Sequence, residues 1–587
     1  MGADGLRIDV DGVGQRVGGG RRSRGRSRET LAGVTLSVAP GELLAVAGAS
    51  GSGKTTLLEL MAGLRSPGAG EVRHDGTEPA LLRPALGYLP HGNVMHEDLP
   101  LVRALGYAAR LRMPARTGAV RLAAAVDDAL AAVGLSARAV QRLRTLSEGE
   151  RRRACIAVEL LTRPRVLFLD EPTTGLDPAT GAELMGTLRD LAREGVTVVL
   201  TTHAPADLAR CDRVLFLSPA GRPAYLGGPG GLTAAFGVGT PEEVYGAVAR
   251  GAERTGEETA VRRADPLPGP GHQVEETRST TAPEAGSPLG PFGQWWLLTR
   301  RSAELLLRNR PAAAVVAGSP LVIVAMFALL FRPGAFDPAA PSPGSAAMIL
   351  FWIAFGGFFF GLTYGLLQIC AELPVVRRER LTVLRLGPYL LSKAALLMPV
   401  LAAADALLLV VLRALDRLPA AGWGTYGSLF TTVLLASAAA LALGLLASAA
   451  VREPGQATLM LPLLCFPQVL FSGAFVPVPQ MAWAGRVLSA AMTNRWAFEA
   501  LGAGIGLPAL WAHGASPLGP PLLASYGDSF GRATWVNWLL LAGFTLLFLA
   551  GAWAVLAAKC RTVGGPSRQV RSGAPAAAVA VSTPAEG

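Results

Sequence analysis

The residues with the clearest chemical potential lie in the segment GASGSGKT, at positions 48–55. Glycines at this spacing, after an apolar strand, let successive backbone N–H groups surround a phosphate at the N-terminus of the following helix. The ammonium group of Lys54 can then reach the terminal phosphate oxygens, and the hydroxyl of Thr55 can bind Mg²⁺. We therefore predict that the phosphates of ATP bind to Gly48, Ala49, Ser50, Gly51, Ser52, Gly53, Lys54, Thr55 and Thr56.

A second group of polar residues follows the apolar run in RVLFLDEPTTGLD, at positions 165–177. Asp170 would stand at the end of a strand, where it can hold Mg²⁺ through water, and Glu171 can polarise an attacking water. The run TVVLTTH ends at His203. A lone histidine is usually a core or surface residue, but its position at the end of a strand favours contact with the terminal phosphate. We predict Thr55 and Asp170 as Mg²⁺ ligands, and Glu171 and His203 as catalytic residues.

The distribution of lysine gives independent support to the first motif. The chain has 54 Lys and Arg residues in total, yet lysine occurs only at positions 54, 393 and 559. Arginine has replaced lysine almost everywhere else. A position that keeps lysine against this bias needs a compact ammonium group rather than a planar guanidinium.

The overall composition excludes several functional classes. Apolar residues make up 51% of the 587 residues, and runs of about 20 apolar residues, long enough to span a bilayer, dominate the second half. The net charge is +11, but the basic residues are scattered or flank apolar runs, which is not the pattern of a nucleic-acid-binding surface. The five cysteines show neither metal-ligand spacing nor a disulfide framework.

These patterns predict an α/β P-loop NTPase domain followed by an all-α membrane domain. Apolar runs at 42–48, 165–170 and 197–203 are typical of buried parallel strands with helices between them. The boundaries that we expect are an Arg/Gly-rich N-terminal segment at 1–28, a nucleotide-binding domain at 29–228, a linker at 229–290, an interfacial connecting helix at 291–310, a membrane domain at 311–558 and a cytoplasmic tail at 559–587.

Six membrane spans are predicted within the second half. An even number of spans, with arginines clustered between the second and third, places both termini in the cytoplasm of a multi-pass protein of the cell membrane. The expected spans are 311–331, 346–370, 386–412, 428–450, 457–478 and 536–558.

The segment TLSEGERRRA, at positions 145–154, completes a set of motifs whose order and spacing resemble those of an ABC transporter. The resemblance implies an ABC cassette with a helical subdomain. It also implies that two cassettes pair head to tail, so that each signature loop contacts the ATP held by the partner. One chain then carries half of each composite site and must form a dimer. By this resemblance Ser147, Gly149 and Glu150 act in trans, and Asp177 belongs to the D-loop.

Three departures from the family pattern concern the ATP site. His91 stands where most members have a glutamine that binds ATP-associated Mg²⁺, and imidazole suits softer metals than an amide oxygen does. Slower or pH-sensitive hydrolysis and a tolerated substitution both remain open. Glu148 replaces a usual glycine in the signature, and no aromatic residue precedes Tyr88, so the usual adenine-stacking ring is missing.

With the cassette before the membrane domain, the chain resembles bacterial half-transporters similar to the G (White) subfamily. By that likeness Arg301 pairs with Glu372 to link cassette and pore, against the alternative of two solvated charges. Glu379 would lie on the short helix that faces the cassette. Phe360 takes the place of an aromatic substrate clamp, although aromatic rings in spans more often pack against other helices or lipid.

Asp405 is singled out by its position rather than by resemblance. A carboxylate inside a predicted span is costly and is therefore a candidate substrate-site residue. The alternatives are a hydrogen bond between helices and a position near the membrane interface, since Arg413 follows closely.

The function that these features favour is ATP-driven export of hydrophobic or amphipathic compounds, such as a lipid, natural product or drug, by a homodimer. One alternative is a membrane-bound ATP-binding sensor or regulator with little turnover, motivated by the three departures. Another is one half of a heterodimeric exporter. Nothing in the sequence resembles a docking surface for a soluble binding protein, which disfavours an importer.

Overall fold

A computed structural model describes residues 5–17, 28–92, 94–254, 262–263 and 289–560. The N-terminal part is an α/β domain and the C-terminal part is helical, so the predicted fold class is confirmed. The strands are β1 (Ile8–Val17), β2 (Arg28–Val38), β3 (Leu43–Gly48), β4 (Ala69–His74), β5 (Leu86–Leu89), β6 (Val166–Asp170), β7 (Thr197–Thr202), β8 (Arg213–Leu217), β9 (Pro223–Gly227) and β10 (Arg262–Arg263). The helices of this domain are α1 (Lys54–Met61), α2 (Leu101–Arg112), α3 (Ala119–Ala132), α4 (Glu148–Leu160), α5 (Pro178–Arg193), α6 (Pro205–Leu208), α7 (Leu232–Phe236) and α8 (Pro241–Arg254).

The main sheet brings the predicted motifs to one edge. Its strand order is β10-β9-β8-β3-β7-β6-β5, and β3, β7 and β6 are parallel neighbours. All three are buried along their whole length, as expected of strands covered on both faces. Because parallel strands end at the same edge, the segments that follow β3, β6 and β7 meet there.

The N-terminal segment is not separate from this domain. Strand β1 pairs antiparallel with both β2 and β4 in a second sheet, and Ile8, Val10 and Val13 are buried. The prediction of an extension at 1–28 was therefore wrong for the residues of β1. The Gly/Arg-rich stretch 18–27 lies outside the described residues.

The first part of the predicted linker also belongs to the α/β domain. Helices α7 and α8 bury Leu232, Val244 and Val248 in its core, and the ring of Tyr245 lies 4.9 Å from that of Phe216, centroid to centroid. The linker boundary at 229 was therefore wrong. Most of the remaining predicted linker lies outside the described residues.

The C-terminal domain begins with a helix close to the expected interfacial helix. Further long helices follow, joined by short helices near both ends of the bundle. The helices are α9 (Pro291–Arg308), α10 (Arg310–Leu330), α11 (Pro343–Leu366), α12 (Leu373–Thr382), α13 (Leu386–Ala414), α14 (Trp423–Ala450), α15 (Pro454–Leu470), α16 (Trp483–Ala490), α17 (Thr493–Ile505), α18 (Leu507–His513), α19 (Gly519–Tyr526) and α20 (Thr534–Lys559).

Among the described residues, five helical segments are long and apolar enough to cross a membrane. The fifth predicted span, 457–478, corresponds to α15, which has 17 residues and ends at Leu470. Proline has no N–H to donate to the helix, and Pro462 and Pro467 both lie inside α15. This helix is shorter than the roughly 20 residues that a span needs, so the count of six spans stays a prediction.

Helices α11 and α14 approach each other at a face of small residues. A Cβ atom on Gly361 would lie 2.1 Å from the carbonyl oxygen of Ser437 and 2.9 Å from the Cβ of Ala440. Small residues of this kind allow close backbone approach between helices in a membrane. The packing of α11 on α14 therefore depends on glycine at position 361.

Replacing Gly361 by valine should push α11 away from α14 and lower stability by about 1–3 kcal/mol, the usual cost of overpacking. Thermal unfolding of the detergent-solubilised protein measures the effect as a lower midpoint. Gly344→Val on the same helix is the matched control, because a Cβ at Gly344 meets no atom within 4 Å. Equal midpoints for the two variants would contradict the close-packing argument.

Candidate nucleotide-binding and hydrolysis site

The phosphate loop follows β3 and leads directly into α1. Gly53 precedes the helix with φ 93°, and a Cβ there would lie 2.6 Å from the carbonyl oxygen of Thr30, so no other residue fits without strain. The ammonium group of Lys54 is 2.9 Å from the oxygen of Gly48 and 3.1 Å from that of Ala49. Burial lowers the pKa of Lys54 more than the nearby carboxylates of Glu171 and Asp170 raise it.

The predicted Mg²⁺ ligands lie together. The hydroxyl of Thr55 is 3.0 and 3.1 Å from the two carboxylate oxygens of Asp170, and Thr201 donates to the same carboxylate at 2.6 Å. Nearby, the buried hydroxyl of Ser52 has no hydrogen-bond partner among the described residues. One hydroxyl and one carboxylate suit Mg²⁺, which completes its shell with water and phosphate oxygens. The described residues hold no cluster of three or more His, Cys, Asp or Glu side chains that could bind a metal without phosphate.

Glu171 is held in a strained and strongly polar position. Its φ is 47°, an unusual value for a non-glycine residue, and its backbone N–H donates to the hydroxyl of Thr201 at 2.9 Å. Its carboxylate accepts a hydrogen bond from Thr174 and lies 3.3 Å from Nδ1 of His203 and 3.9 Å from Nζ of Lys54.

These contacts decide the charge of Glu171. Burial raises its pKa, but the hydrogen bond from Thr174 and the electrostatic influence of His203 and Lys54 outweigh burial and hold the pKa below its ordinary value. The group is therefore a carboxylate at neutral pH. A carboxylate beside the terminal phosphate position can accept a hydrogen bond from an attacking water.

His91 also faces this carboxylate. Its Nδ1 lies 3.8 Å from Oε2 of Glu171, although most of the side chain is exposed. The structure thus places the residue that replaces the usual glutamine beside the predicted catalytic carboxylate. Its role as an ATP-binding residue remains a prediction.

The signature residues begin helix α4. Ser147 accepts a hydrogen bond from the backbone N–H of Glu150, and Glu150 accepts one from that of Ser147, which together form a capping box. Asp177 caps α5 in a similar way through the N–H groups of Ala179 and Thr180. Gly149 packs tightly, since a Cβ there would lie 2.2 Å from the Thr180 methyl group.

Arg152 was not identified from the sequence, and the structure places it beside the segment that contains Asp170 and Glu171. Its guanidinium group is buried and donates to the carbonyl oxygens of Asp170, Glu171 and Pro172 at 2.8–3.2 Å. On its other side it donates to the carbonyls of Pro90 and Gly92, at 3.3 and 2.6 Å. Arg152 therefore joins the end of β6 to the His91 loop.

Comparison with known families now accounts for both parts of the chain. A family described as ABC transporter matches residues 31–174, and a family described as ABC-2 type transporter matches residues 293–505. The chain belongs to the ABC transporters. The site at the sheet edge is accordingly that of an ATP-binding cassette, and the cassette precedes the membrane domain.

Curated relatives align with most of the chain. An ABC transporter ATP-binding/permease protein of Mycobacterium tuberculosis is 30% identical over 566 residues, which cover 92% of this chain and 62% of that protein. ABC transporter G family member 7 of Arabidopsis thaliana is 28% identical over 533 residues, covering 81% of this chain and 70% of that protein. The chain thus spans less than two thirds of the mycobacterial transporter.

The contacts between cassette and membrane domain correct the predicted pairing. Arg301 of α9 does not pair with Glu372. Its guanidinium forms two hydrogen bonds with the carboxylate of Glu379, one of them 3.0 Å long, while Glu372 pairs with Lys393 at 2.8 Å. Glu379 lies on the short helix α12, and the neighbouring Arg378 of this helix hydrogen-bonds to Glu159 of the cassette.

The two candidate substrate residues are enclosed within the chain itself. Phe360 is fully buried and its ring stacks on Tyr364, so it does not present a clamp surface in this structure. Asp405 is also fully buried and accepts a hydrogen bond from Ser437 of α14 at 2.9 Å. This contact matches the alternative of a hydrogen bond between helices.

Replacing Arg152 by methionine should lower the rate of ATP hydrolysis at least about tenfold, which corresponds to 1.4 kcal/mol at the transition state. The carbonyls around Asp170 and Glu171 lose their shared donor, so the catalytic carboxylate is no longer held in place. Steady-state ATPase assays on the purified transporter give the rate. Arg151→Met, one residue away and partly exposed, should keep the parental rate. Equal rates for both variants would refute the positioning role.

Replacing His91 by glutamine should lower the Mg²⁺ concentration needed for half-maximal ATP hydrolysis several-fold. An amide oxygen is a harder ligand than an imidazole nitrogen and suits Mg²⁺ better. Titration of ATPase activity with Mg²⁺ at saturating ATP measures this change. An unchanged Mg²⁺ requirement would mean that His91 does not stand in for the family glutamine.

Proposed function

We propose that the chain is one half of an ATP-driven exporter of hydrophobic or amphipathic compounds and works as a homodimer in the cell membrane. The observation that carries this proposal is the position of the Glu171 carboxylate beside His203 and Lys54, in a chain whose membrane domain contacts the cassette through a buried ion pair. The similarity to ABC transporter G family member 7 of Arabidopsis thaliana, which covers 81% of this chain, supports the same conclusion.

In this proposal the chain's own residues perform the steps around ATP. The phosphate loop and Lys54 bind the phosphates, and Thr55 and Asp170 hold Mg²⁺, which supplies charge neutralisation when bound. Glu171 orients the water and His203 holds the carboxylate in position. Ser147 and Gly149 of the partner cassette close over the same ATP, which makes hydrolysis depend on dimerisation.

The substrate class follows from the surface that the membrane domain leaves open. Trp352, Phe355 and Phe359 recur on one partly exposed face of α11, and the rings of Phe355 and Phe359 lie 6.3 Å apart. On α15 the side chains of Leu463 and Phe466 are more than half exposed. We assign the aromatic face of α11, rather than Phe360, to substrate contact, and its apolar character favours lipids or amphipathic molecules over sugars and ions.

The orientation in the membrane rests on charge. Basic residues cluster in α12 and near the end of α20, which places these ends and both termini on the cytoplasmic side with the cassette. Helix α9, with Phe292 and Trp296 exposed, would lie along the cytoplasmic surface of the bilayer.

ATP hydrolysis by the protein expressed alone in lipid nanodiscs tests the proposal. The parental dimer should turn over ATP, and Glu171→Gln should reduce the rate by at least about a hundredfold, since it removes the anionic acceptor for the water's proton. Turnover that survives this change would contradict the role of Glu171. A dimer that binds ATP without turnover would instead favour a sensor, or a heterodimer with a second chain.

A further inference from the structure

Glu159 connects the cassette to the membrane domain through a fully buried carboxylate. It lies near the C-terminus of α4, the helix that begins at the signature loop. Two hydrogen bonds of 2.7 and 3.1 Å come from Arg112 of α2, and one of 3.0 Å comes from Nε of Arg378 in α12. One carboxylate of the cassette thus binds cations on both sides of the domain boundary.

Arg378 reaches a second part of the cassette as well. Its Nη1 donates to the carbonyl oxygen of Val94 at 2.7 Å, and its side chain is only 5% exposed. Val94 lies three residues after His91 in the same loop, and the imidazole of His91 faces Glu171. A single membrane-domain side chain therefore contacts both α4 and the loop that leads from the ATP site.

Helix α4 carries three functional contacts along its length. Ser147 at its N-terminus faces the partner's ATP in the proposed dimer, Arg152 in its middle holds the catalytic strand end, and Glu159 near its C-terminus holds Arg378. The helix has 13 residues and is about 20 Å long. Since an α-helix resists stretching and bending, displacement of its N-terminus is passed to its other end.

The charge of Glu159 makes this contact persistent. Burial raises its pKa, but Arg112 and Arg378 outweigh burial and hold the pKa below its ordinary value, so the group stays ionised. Arg378, whose side chain is also buried, cannot leave Glu159 without losing the carboxylate that balances its charge. A second ion pair between the domains joins Arg103 of α2 to Glu304 of α9. By contrast with Arg378, the side chain of Arg103 is nearly half exposed, so water can replace its partner.

We propose that Glu159 and Arg378 are the positioning pair through which movement of the signature helix α4 toward bound ATP moves the membrane domain. This inference rests on the proposed ATP-driven transport. It adds a route that starts at the signature helix and does not pass through the Arg301–Glu379 pair of the connecting helix.

The distance between the two copies of a spin label in the dimer tests this route, and no transport substrate is needed. The background is Glu171→Gln, with the native cysteines replaced by alanine. One label at Val140, 79% exposed on the cassette, follows cassette closure, and one at Trp483, 79% exposed on α16, follows the membrane domain. Distances are measured in lipid nanodiscs with and without ATP and Mg²⁺.

Arg378→Gln should keep the ATP-induced change at Val140 and reduce the change at Trp483 by at least half. In this variant Glu159 still pairs with Arg112, so the cassette keeps its buried ion pair. Arg378→Lys, which retains a cation, should restore part of the Trp483 change. Arg377→Gln, an exposed neighbour on the same helix, is the matched control and should leave both changes intact.

Two outcomes would overturn the inference. One is an undiminished Trp483 change in Arg378→Gln, and the other is loss of both changes, which would make the pair a requirement for cassette closure itself. Absence of any ATP-induced Trp483 change in the background protein would count against the proposed transport function as well as this route.

Discussion

The hydrogen bonds of the Arg152 guanidinium group are the interaction that connects the predicted catalytic residues to helix α4. This guanidinium group is enclosed by carbonyl oxygens from two segments that are far apart in sequence, the end of β6 and the His91 loop. A planar group with five donors suits such a ring of acceptors, whereas an ammonium group does not. Because Arg152 also belongs to α4, the catalytic strand end, the His91 loop and the signature helix are held as one unit.

The membrane domain contains a second closely packed unit. Gly361 lets α11 and α14 approach at backbone distance, so these helices cannot shift past each other without separating. Motion that enters at α12 is therefore expected to displace the bundle as a whole. The buried pair of Glu372 with Lys393 ties the residue that precedes α12 to α13 and supports the same behaviour.

Motifs with fixed spacing could be predicted from the sequence, while the partners of individual charges could not. The phosphate loop, Asp170, Glu171 and His203 follow strands whose neighbours in the sheet are set by the fold, so their meeting point was predictable. Arg301 had two acidic residues within reach on the same short segment, and the sequence did not distinguish Glu379 from Glu372. Arg152 lies between two other arginines, and only packing reveals which of the three is buried.

The rotation of helix α11 and the irregularity of strand β1 explain two other differences from the sequence analysis, which concern Phe360 and the residues of β1. Three consecutive phenylalanines at 358–360 leave open which ring faces the core, and the structure buries Phe360 while Phe359 stays partly exposed. Strand β1 contains two glycines and register shifts, which hide its alternating apolar pattern. The aromatic face of α11 could have been found from the spacing of Trp352, Phe355 and Phe359, which recur at helical intervals.

All three lysines fall within the described residues, and each ammonium group is engaged. Lys54 donates to carbonyls of the phosphate loop, Lys393 pairs with Glu372, and Lys559 donates to the carbonyls of Ala450 and Val451 at 2.7 and 2.6 Å. The positive surface is therefore made of guanidinium groups, which keep their charge throughout the accessible pH range. Labelling of lysine side chains by amine-directed reagents would consequently report on these three positions and not on the arginine-rich surface.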